Sequence, residues 1–331
     1  MKIVCFGEIL LRYCPDVNAD WVQQNAMTVY IGGAELNVAS ALSKWGLGVD
    51  FCTVLPENYL SQTILKAIEK RDIDVSKISF SGNRVGAYYL PVGSELKNAG
   101  VIYDRAHSSF FNLQKGMIDW EEVFVDCDWF HFSAICPALN ENIAVVCEEA
   151  LQVARNKNVV ISMDLNYRKN LWQYGIAPHE VMNKLMPYCD VVMGNIWSIE
   201  ALCAVENTVD AAFETSKSYL MIAGEKSITE LKNKYPNIQT VALTFRFDQI
   251  YWAMMGHSNE YHISKVFSNY IMNDRVGSGD CFMAGMIYGI ANQWHPKNIV
   301  DFASAAAVGK LAEKGDSTNQ SVDQILNKVH E

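Results

Sequence analysis

Hydrophobic positions along the chain fall into short blocks whose spacing predicts strands and helices. Residues 2–7 form an apolar run with the length of a buried strand, and residues 49–54 form another before a helical stretch at 61–71. Alternation of short strands and helices with brief connections predicts a mainly parallel sheet covered by helices on both faces. Farther along the chain, strands are predicted at 129–133, 159–165 and 191–194, and helices at 141–156, 179–186 and 199–202.

Two segments depart from this alternation, residues 8–31 and 85–107. The first contains short extended pieces with no helical periodicity between them. The second has two extended pieces around a polar turn at 93–100, which predicts a β-hairpin with a loop. We expect the two segments to combine into a small sheet of four or five strands that is separate from the main one.

Composition and charge narrow the class of protein. Half of the 331 residues are hydrophobic and the formal net charge is −10 without a basic run, so we expect a folded protein that does not bind nucleic acid. No apolar stretch reaches about 18 residues, so no membrane span is predicted. The first residues have the pattern of a buried strand rather than a signal peptide. Nine scattered cysteines without metal-ligand spacing favour a reducing cytoplasm.

The candidate chemistry is concentrated in a glycine-containing stretch that begins at Asp274. Gly277 and Gly279 flank Ser278 and precede an apolar helical pattern, so backbone N–H groups and the positive end of the helix dipole would face a ligand there. Such a turn can hold a phosphate or a developing anion. Asp280 lies beside it, and a carboxylate in that place suits proton abstraction from a hydroxyl that attacks phosphorus.

The stretch 274–285 reads D-x-V-G-S-G-D-x-F-x-A-G, which resembles the second signature of the PfkB (ribokinase-like) family of sugar kinases, usually D-T-x-G-A-G-D-x-F. Residues 32–46 resemble that family's first signature, G-G-x-x-x-N-x-A-x-x-x-x-x-L-G. The resemblance implies ATP and Mg²⁺ as cofactors and a ribokinase-like three-layer α/β/α domain with a mainly parallel central sheet and a small β-sheet lid. By the same resemblance, residues 1–7, 32–84 and 108–331 form the catalytic domain, and 8–31 and 85–107 form the lid.

The resemblance also implies roles for individual residues. Asp280 is expected to be the catalytic base, and the Gly277, Ser278 and Gly279 amides are expected to form the anion hole. Gly32, Gly33 and Asn37 belong to the signature that relatives place at the sugar.

Within the family, three further stretches resemble 2-keto-3-deoxygluconate kinases. Residues 164–172 match D-x-N-x-R-x-x-L-W, residues 103–109 match most of Y-x-R-x-x-S-A, and residues 132–139 match a strand and loop at the sugar. The resemblance implies that Arg105 and Arg168 grip the substrate carboxylate, for which arginine supplies a planar, charged fork. Tyr88, Tyr103 and Ile135 are expected to contact the same substrate.

The nucleotide end departs from the family pattern. Relatives usually have N-x-x-E near magnesium, whereas Asn195 is followed three residues later by Ser198. Their glycine-containing nucleotide loop is replaced at 241–251 by a stretch without glycine, where Arg246 fits either a phosphate contact or a surface charge. The residues expected to bind nucleotide are Asn195, Thr244, Arg246, Gly277, Gly279 and Ser304. The metal ligands are left unassigned.

These resemblances predict an ATP-dependent cytoplasmic kinase that phosphorylates the terminal hydroxyl of 2-keto-3-deoxygluconate to give 2-keto-3-deoxy-6-phosphogluconate. A homo-oligomer is expected, with dimerisation through the lid. Two alternatives remain at this point. One is a fructokinase- or ribokinase-like enzyme for a neutral sugar, and the other is a sugar-binding relative without catalysis.

Overall fold

The computed structural model describes residues 1–15, 23, 25–91, 100–207, 209, 216–247 and 249–330. Its strands are β1 (Lys2–Phe6), β2 (Leu10–Cys14), β3 (Thr28–Gly32), β4 (Gly48–Leu55), β5 (Ile78–Phe80), β6 (Gly86–Tyr89), β7 (Ile102–Asp104), β8 (Trp129–Ser133), β9 (Val160–Asp164), β10 (Val191–Gly194), β11 (Thr240–Phe247), β12 (Ile250–His257), β13 (Glu260–Ile263) and β14 (Phe267–Ser268). Its α-helices are α1 (Ala34–Lys44), α2 (Tyr59–Glu69), α3 (Trp120–Val123), α4 (Glu141–Asn156), α5 (Pro178–Leu185), α6 (Ile196–Cys203), α7 (Lys217–Lys234), α8 (Ser278–Ala291), α9 (Pro296–Leu311) and α10 (Val322–His330).

The main sheet has the strand order β13-β12-β11-β10-β9-β8-β1-β4-β5, and β14 pairs with β12. Every pair from β11 to β5 in this order is parallel, whereas β12 runs antiparallel to β11 and β13. The prediction of a mainly parallel sheet is therefore confirmed. In open sheets of this kind, ligands bind beyond the carboxyl ends of the strands.

Two helical layers cover the sheet, because its strands are apolar on both faces. In β1, Val4 and Phe6 belong to the core under α3–α7, while Ile3 and Cys5 belong to the core under α1, α2 and α8–α10. Helices α8 and α9 pack very closely, since a Cβ at Gly285 would lie 2.7 Å from Ala303 Cα. The arrangement is the ribokinase-like three-layer fold.

The small sheet has the strand order β3-β2-β6-β7 and forms the lid. Its outer pairs are antiparallel and β2 and β6 are parallel, so two distant segments meet at its centre. The sheet has four strands in the described residues, within the expected four or five. The exact boundaries between lid and catalytic domain stay a prediction.

Two global properties also bear on the sequence expectations. All nine cysteines are unpaired thiols. Over the described residues, no helix combines the length and apolarity needed to cross a bilayer.

Candidate active site

A cavity of about 940 Å³ lies between the lid and the main sheet, within the range for small-molecule sites. The lid contributes Tyr88 and Tyr103, and segments that follow the parallel strands β9 and β10 contribute Arg168 and Asn195. The start of α8 contributes Asp280. The cavity thus brings together residues from all the sequence stretches that carried the family resemblance.

The turn before α8 has a geometry that requires glycine. Gly277 precedes the helix with φ 81°, in the left-handed region, and a Cβ there would lie 1.9 Å from the Asp316 carbonyl oxygen. Ser278 donates its hydroxyl to the Ala307 carbonyl at 3.1 Å, which fixes the first turn of α8 against α9. Gly277, Ser278 and Gly279 all border the cavity. The N-terminal amides of α8 are thereby available for an anion.

Asp280 is the carboxylate at this turn, and its side chain is buried. Asn37 Nδ2 donates to Asp280 Oδ2 at 2.7 Å, so the first glycine signature and the second meet here. Burial raises the pKa of Asp280 to about 8, and the nearby carboxylates of Asp164 and Glu35 act in the same direction. The Asn37 hydrogen bond and the Arg168 charge oppose that rise. A carboxylate with such a pKa is well matched to general-base chemistry near neutral pH.

This pKa predicts how the activity depends on pH. A general base works only when ionised, so kcat/KM should rise with pH and reach half of its maximum near pH 8, because the profile reports the free enzyme. Replacing Asn37 by leucine removes a bond that stabilises the ionised carboxylate, so the midpoint should move still higher. Initial rates from pH 5 to 10 give both midpoints. A wild-type midpoint near pH 4 would contradict this environment for Asp280.

The predicted sugar-binding residues mostly converge on the cavity. Gly33, Tyr88, Tyr103 and Ile135 border it, as does Asn37. Gly33 has φ 135°, and a Cβ there would lie 2.3 Å from the Glu8 carbonyl oxygen, so glycine is required. Gly32 does not border the cavity but packs against the Asp316 carboxylate. For Gly32 the structure therefore indicates a packing role.

The two predicted carboxylate-binding arginines lie in different environments. Arg105 is buried and donates from Nε and Nη2 to Glu8 Oε2, both at 2.6 Å, so its charge is already balanced where it meets the cavity. Arg168 is exposed at the cavity wall, where its Nη1 donates to the Tyr167 carbonyl at 3.2 Å. Of the two, Arg168 presents the less compensated positive charge to a ligand.

The cavity wall also includes Asn195, Thr244 and Arg246. The Asn195 and Ser198 side chains form a capping box at the start of α6. Ser198 N donates to Asn195 Oδ1 at 2.9 Å, and the Ser198 hydroxyl accepts from Asn195 N at 2.8 Å, so the Ser198 side chain stabilises the first turn of the helix. Ser304 is fully buried in α9 and is not part of the cavity wall. The structure therefore does not bring Ser304 together with the other predicted nucleotide-binding residues.

The cavity wall also contains residues that were not selected from the sequence. Asp164 is buried, and burial raises its pKa to about 6. Arg275 lies within the glycine signature, at the position where relatives usually have threonine. This difference from the family signature was the sequence feature that could have identified Arg275 as a site residue. Among the residues that the structure describes, the wall has five basic ones (Arg105, Arg168, Lys169, Arg246 and Arg275) and two acidic ones (Asp164 and Asp280). In a chain with a net charge of −10, this excess of positive charge favours an anionic ligand.

A divalent cation at this site would have oxygen ligands available. In the described part of the chain, no three histidine, cysteine or acidic side chains form a metal-binding group. Mg²⁺ typically takes only one or two protein carboxylates together with substrate phosphates and water. Asp164 and Asp280 fit that requirement as carboxylates on the cavity wall.

Comparisons with known proteins agree with the fold. A family model for pfkB family carbohydrate kinases matches residues 1–323. The chain is 25% identical over 324 residues to a 2-dehydro-3-deoxygalactonokinase of Haloferax volcanii (98% of this chain, 95% of that one). It is 23% identical over 346 residues to a 5-dehydro-2-deoxygluconokinase of Clostridium beijerinckii (100% and 93%). A solved 2-dehydro-3-deoxygluconokinase of Thermotoga maritima has a TM-score of 0.91 and 33% identity, with 100% of both chains covered. Because the family model spans nearly the whole chain, this protein belongs to the pfkB family of carbohydrate kinases.

Proposed function

We propose that this sugar kinase acts on an acidic keto sugar, and specifically that it phosphorylates the terminal hydroxyl of 2-keto-3-deoxygluconate (2-dehydro-3-deoxygluconate) with ATP. The observation that carries the proposal is the cavity wall, whose described residues include five basic side chains and a buried candidate base, Asp280. The product would be 2-keto-3-deoxy-6-phosphogluconate. Relatives named for keto-deoxy sugars and sugar acids support the substrate class.

In the proposed reaction, Asp280 Oδ accepts the proton of the terminal hydroxyl while the hydroxyl oxygen attacks the γ-phosphorus of ATP. The bond between that phosphorus and the β–γ bridging oxygen breaks, and ADP leaves. The Gly277–Gly279 amides at the start of α8 stabilise the charge on the transferring phosphoryl group. Gly33 and Asn37 position the sugar beneath the lid, with Tyr88, Tyr103 and Ile135 beside it. Arg168 binds the substrate carboxylate, and Arg105, which is paired with Glu8, also lies on the cavity wall.

Kinases of this family use ATP, and we assign its phosphates to the part of the cavity wall formed by Asn195, Thr244 and Arg246. Arg246 replaces backbone N–H groups of the missing glycine loop, since a guanidinium binds phosphate oxygens in a bidentate manner. Asp164 would hold Mg²⁺ together with phosphate oxygens. When bound, Mg²⁺ would neutralise negative charge on the phosphates.

A substrate panel tests this proposal. The purified protein is assayed with ATP and Mg²⁺ against 2-keto-3-deoxygluconate, 2-keto-3-deoxygalactonate, 5-keto-2-deoxygluconate, fructose and ribose. The proposal expects the highest kcat/KM for 2-keto-3-deoxygluconate. A preference for fructose or ribose would support the neutral-sugar alternative. Sugar binding without turnover would support the non-catalytic alternative, against which the retained Asp280–Asn37 pair argues.

We further propose a dimer formed through the outer face of the lid sheet. Val29, Tyr13, Tyr89 and Ile102 are aligned across the four strands, and Val29 and Ile102 are exposed by 45% and 54%. An apolar row at this position is typical of a buried interface rather than a solvated face. Light scattering should give twice the 37.2 kDa chain mass, and Ile102→Glu should shift the protein toward monomer. A monomeric wild-type protein would contradict the dimer.

A cytoplasmic location is part of the same proposal, supported by the nine unpaired cysteines.

A further inference from the structure

Arg12 is a fully buried arginine at the centre of the lid sheet. It lies on β2 in register with Tyr88 of β6, and Tyr88 is in register with Tyr103 of β7, so the three side chains share the face that is turned toward the catalytic domain. Its solvent exposure is 0%, and it is not among the residues that line the cavity. Arg12 therefore acts through other residues rather than on a ligand.

Within the lid, Arg12 Nε donates to the Leu90 carbonyl at 3.4 Å, but the carboxylate partners of Arg12 lie outside the lid. Its Nη1 donates to Asp274 Oδ2 at 2.8 Å and to Asp316 Oδ1 at 2.9 Å, and its Nη2 donates to Asp274 Oδ1 at 3.2 Å. Tyr88 donates its hydroxyl to Asp316 Oδ2 at 2.8 Å. Both carboxylates are almost completely buried. Arg12 on β2 thus holds both acids and Tyr88 on β6 holds Asp316, and the two acids belong to loops that meet at the start of α8.

These two acids shape the turn that precedes α8. Asp274 Oδ1 accepts the Val276 amide at 3.1 Å, and Asp274 Oδ2 accepts the Gly315 amide at 3.3 Å. The carbonyl of Asp316 lies against Gly277 so closely that only glycine fits. The orientation of the Gly277 and Gly279 amides therefore depends on where Asp274 and Asp316 are held.

We propose that Arg12 is a positioning residue that couples the lid to the anion-hole turn, so that the seated lid sets the amides of Gly277 and Gly279 for catalysis. The proposal rests on the proposed kinase function of that turn. A guanidinium suits the task because its rigid fork fixes two carboxylates in one plane, whereas lysine supplies only a point charge. Buried charges also hold their geometry firmly, because an alternative arrangement would leave one of them unpaired.

Two substitutions of Arg12 test this coupling, and one substitution of Arg84 is the matched control. Arg12→Met keeps an unbranched chain without charge, and Arg12→Lys keeps the charge without the fork. Arg84 pairs with the Asp104 carboxylate at 2.7 Å and donates to the Asp104 and Ala106 carbonyls, so Arg84→Met removes an ion pair and two hydrogen bonds of the lid without touching the turn before α8. kcat is measured per folded molecule, and calorimetry gives the Kd of the sugar acid.

In Arg12→Met, kcat should fall about 10- to 100-fold, less than the loss caused by removing an anion-hole donor outright. The Kd of the sugar acid should change no more than about threefold. Arg12→Lys should recover part of kcat, and Arg84→Met should match the wild type. A purely structural role predicts lower thermal stability with an unchanged kcat per folded molecule, and that result would overturn the proposal.

Hydrogen exchange supplies a readout that does not depend on activity. Amides in peptides covering 274–281 should exchange about tenfold faster in Arg12→Lys than in the wild type, while peptides from α4 stay unchanged. If Arg12→Met does not fold, Arg12→Lys and Asp316→Asn carry the kinetic comparison, and wild-type kcat in both would reject the coupling. A wild-type protein without kinase activity would reject the proposed function. In that case, the rate of amide hydrogen exchange in residues 274–281 would still show whether Arg12 holds the turn before α8.

Discussion

Asp280→Asn is expected to lower kcat by about 10²- to 10⁴-fold, the usual contribution of a general base. The asparagine side-chain amide has nearly the same size as the aspartate carboxylate, but it cannot accept the proton of the attacking hydroxyl. Asn37 Nδ2 now donates to Asp280 Oδ2 at 2.7 Å, and an asparagine oxygen can accept the same bond. The first turn of α8 should therefore keep its shape, and the loss should fall on the chemical step.

Calorimetric titration beside turnover assays separates binding from chemistry in this variant. The Kd values for sugar acid and ATP should stay close to those of the wild type. Asp301→Asn is a matched control, because Asp301 is also a buried carboxylate in this helical layer, where it accepts from Lys265 N and Lys297 Nζ. Its kcat should be unchanged. Activity of Asp280→Asn within a few-fold of the wild type would remove Asp280 from the catalytic role.

Arg168→Ala is expected to raise the KM for 2-keto-3-deoxygluconate by roughly ten- to a hundredfold, because a charge-assisted hydrogen bond contributes about 1.5–3 kcal/mol. Arg168→Lys should restore only part of the affinity, since lysine keeps the charge but lacks the bidentate fork. A neutral sugar such as fructose, if it is turned over, should respond little to either change. The ratio of acidic to neutral substrate within one variant cancels any general loss of stability.

Lys169→Ala distinguishes a direct contact between Arg168 and the substrate carboxylate from a general electrostatic attraction of the anionic substrate to the cavity wall. Lys169 is the exposed neighbour of Arg168 on the same cavity wall. Because an exposed charge in water has a weak effect that salt screens, its loss should change KM much less than the loss of Arg168, and the effect should fade at high ionic strength. Equal losses for acidic and neutral substrates in Arg168→Ala would reject the carboxylate contact and favour a neutral-sugar kinase.

The local elements were predictable because their determinants are close together in the sequence. Apolar runs at β1, β8 and β10 and the helical pattern at α4 depend on neighbouring residues, and they lie within a few residues of the expected bounds. The lid hairpin of β6 and β7 was predicted for the same reason. By contrast, the antiparallel pairing of β12 was not predicted, since strand direction within a sheet depends on the path of the whole chain.

The sequence alone determined the fold class, the family and the glycine turn before α8, because those features follow from periodicity and from an ordered motif within one segment. Only the tertiary structure decided which charges meet. Arg105 pairs with Glu8, 97 residues away, and Arg12 pairs with Asp274, 262 residues away. Ser304 likewise lies in the core rather than at the cavity. How strongly a charged side chain interacts, and with which partner, depends on its burial and on the distance between the charges. Burial and distance are set only when remote segments fold together.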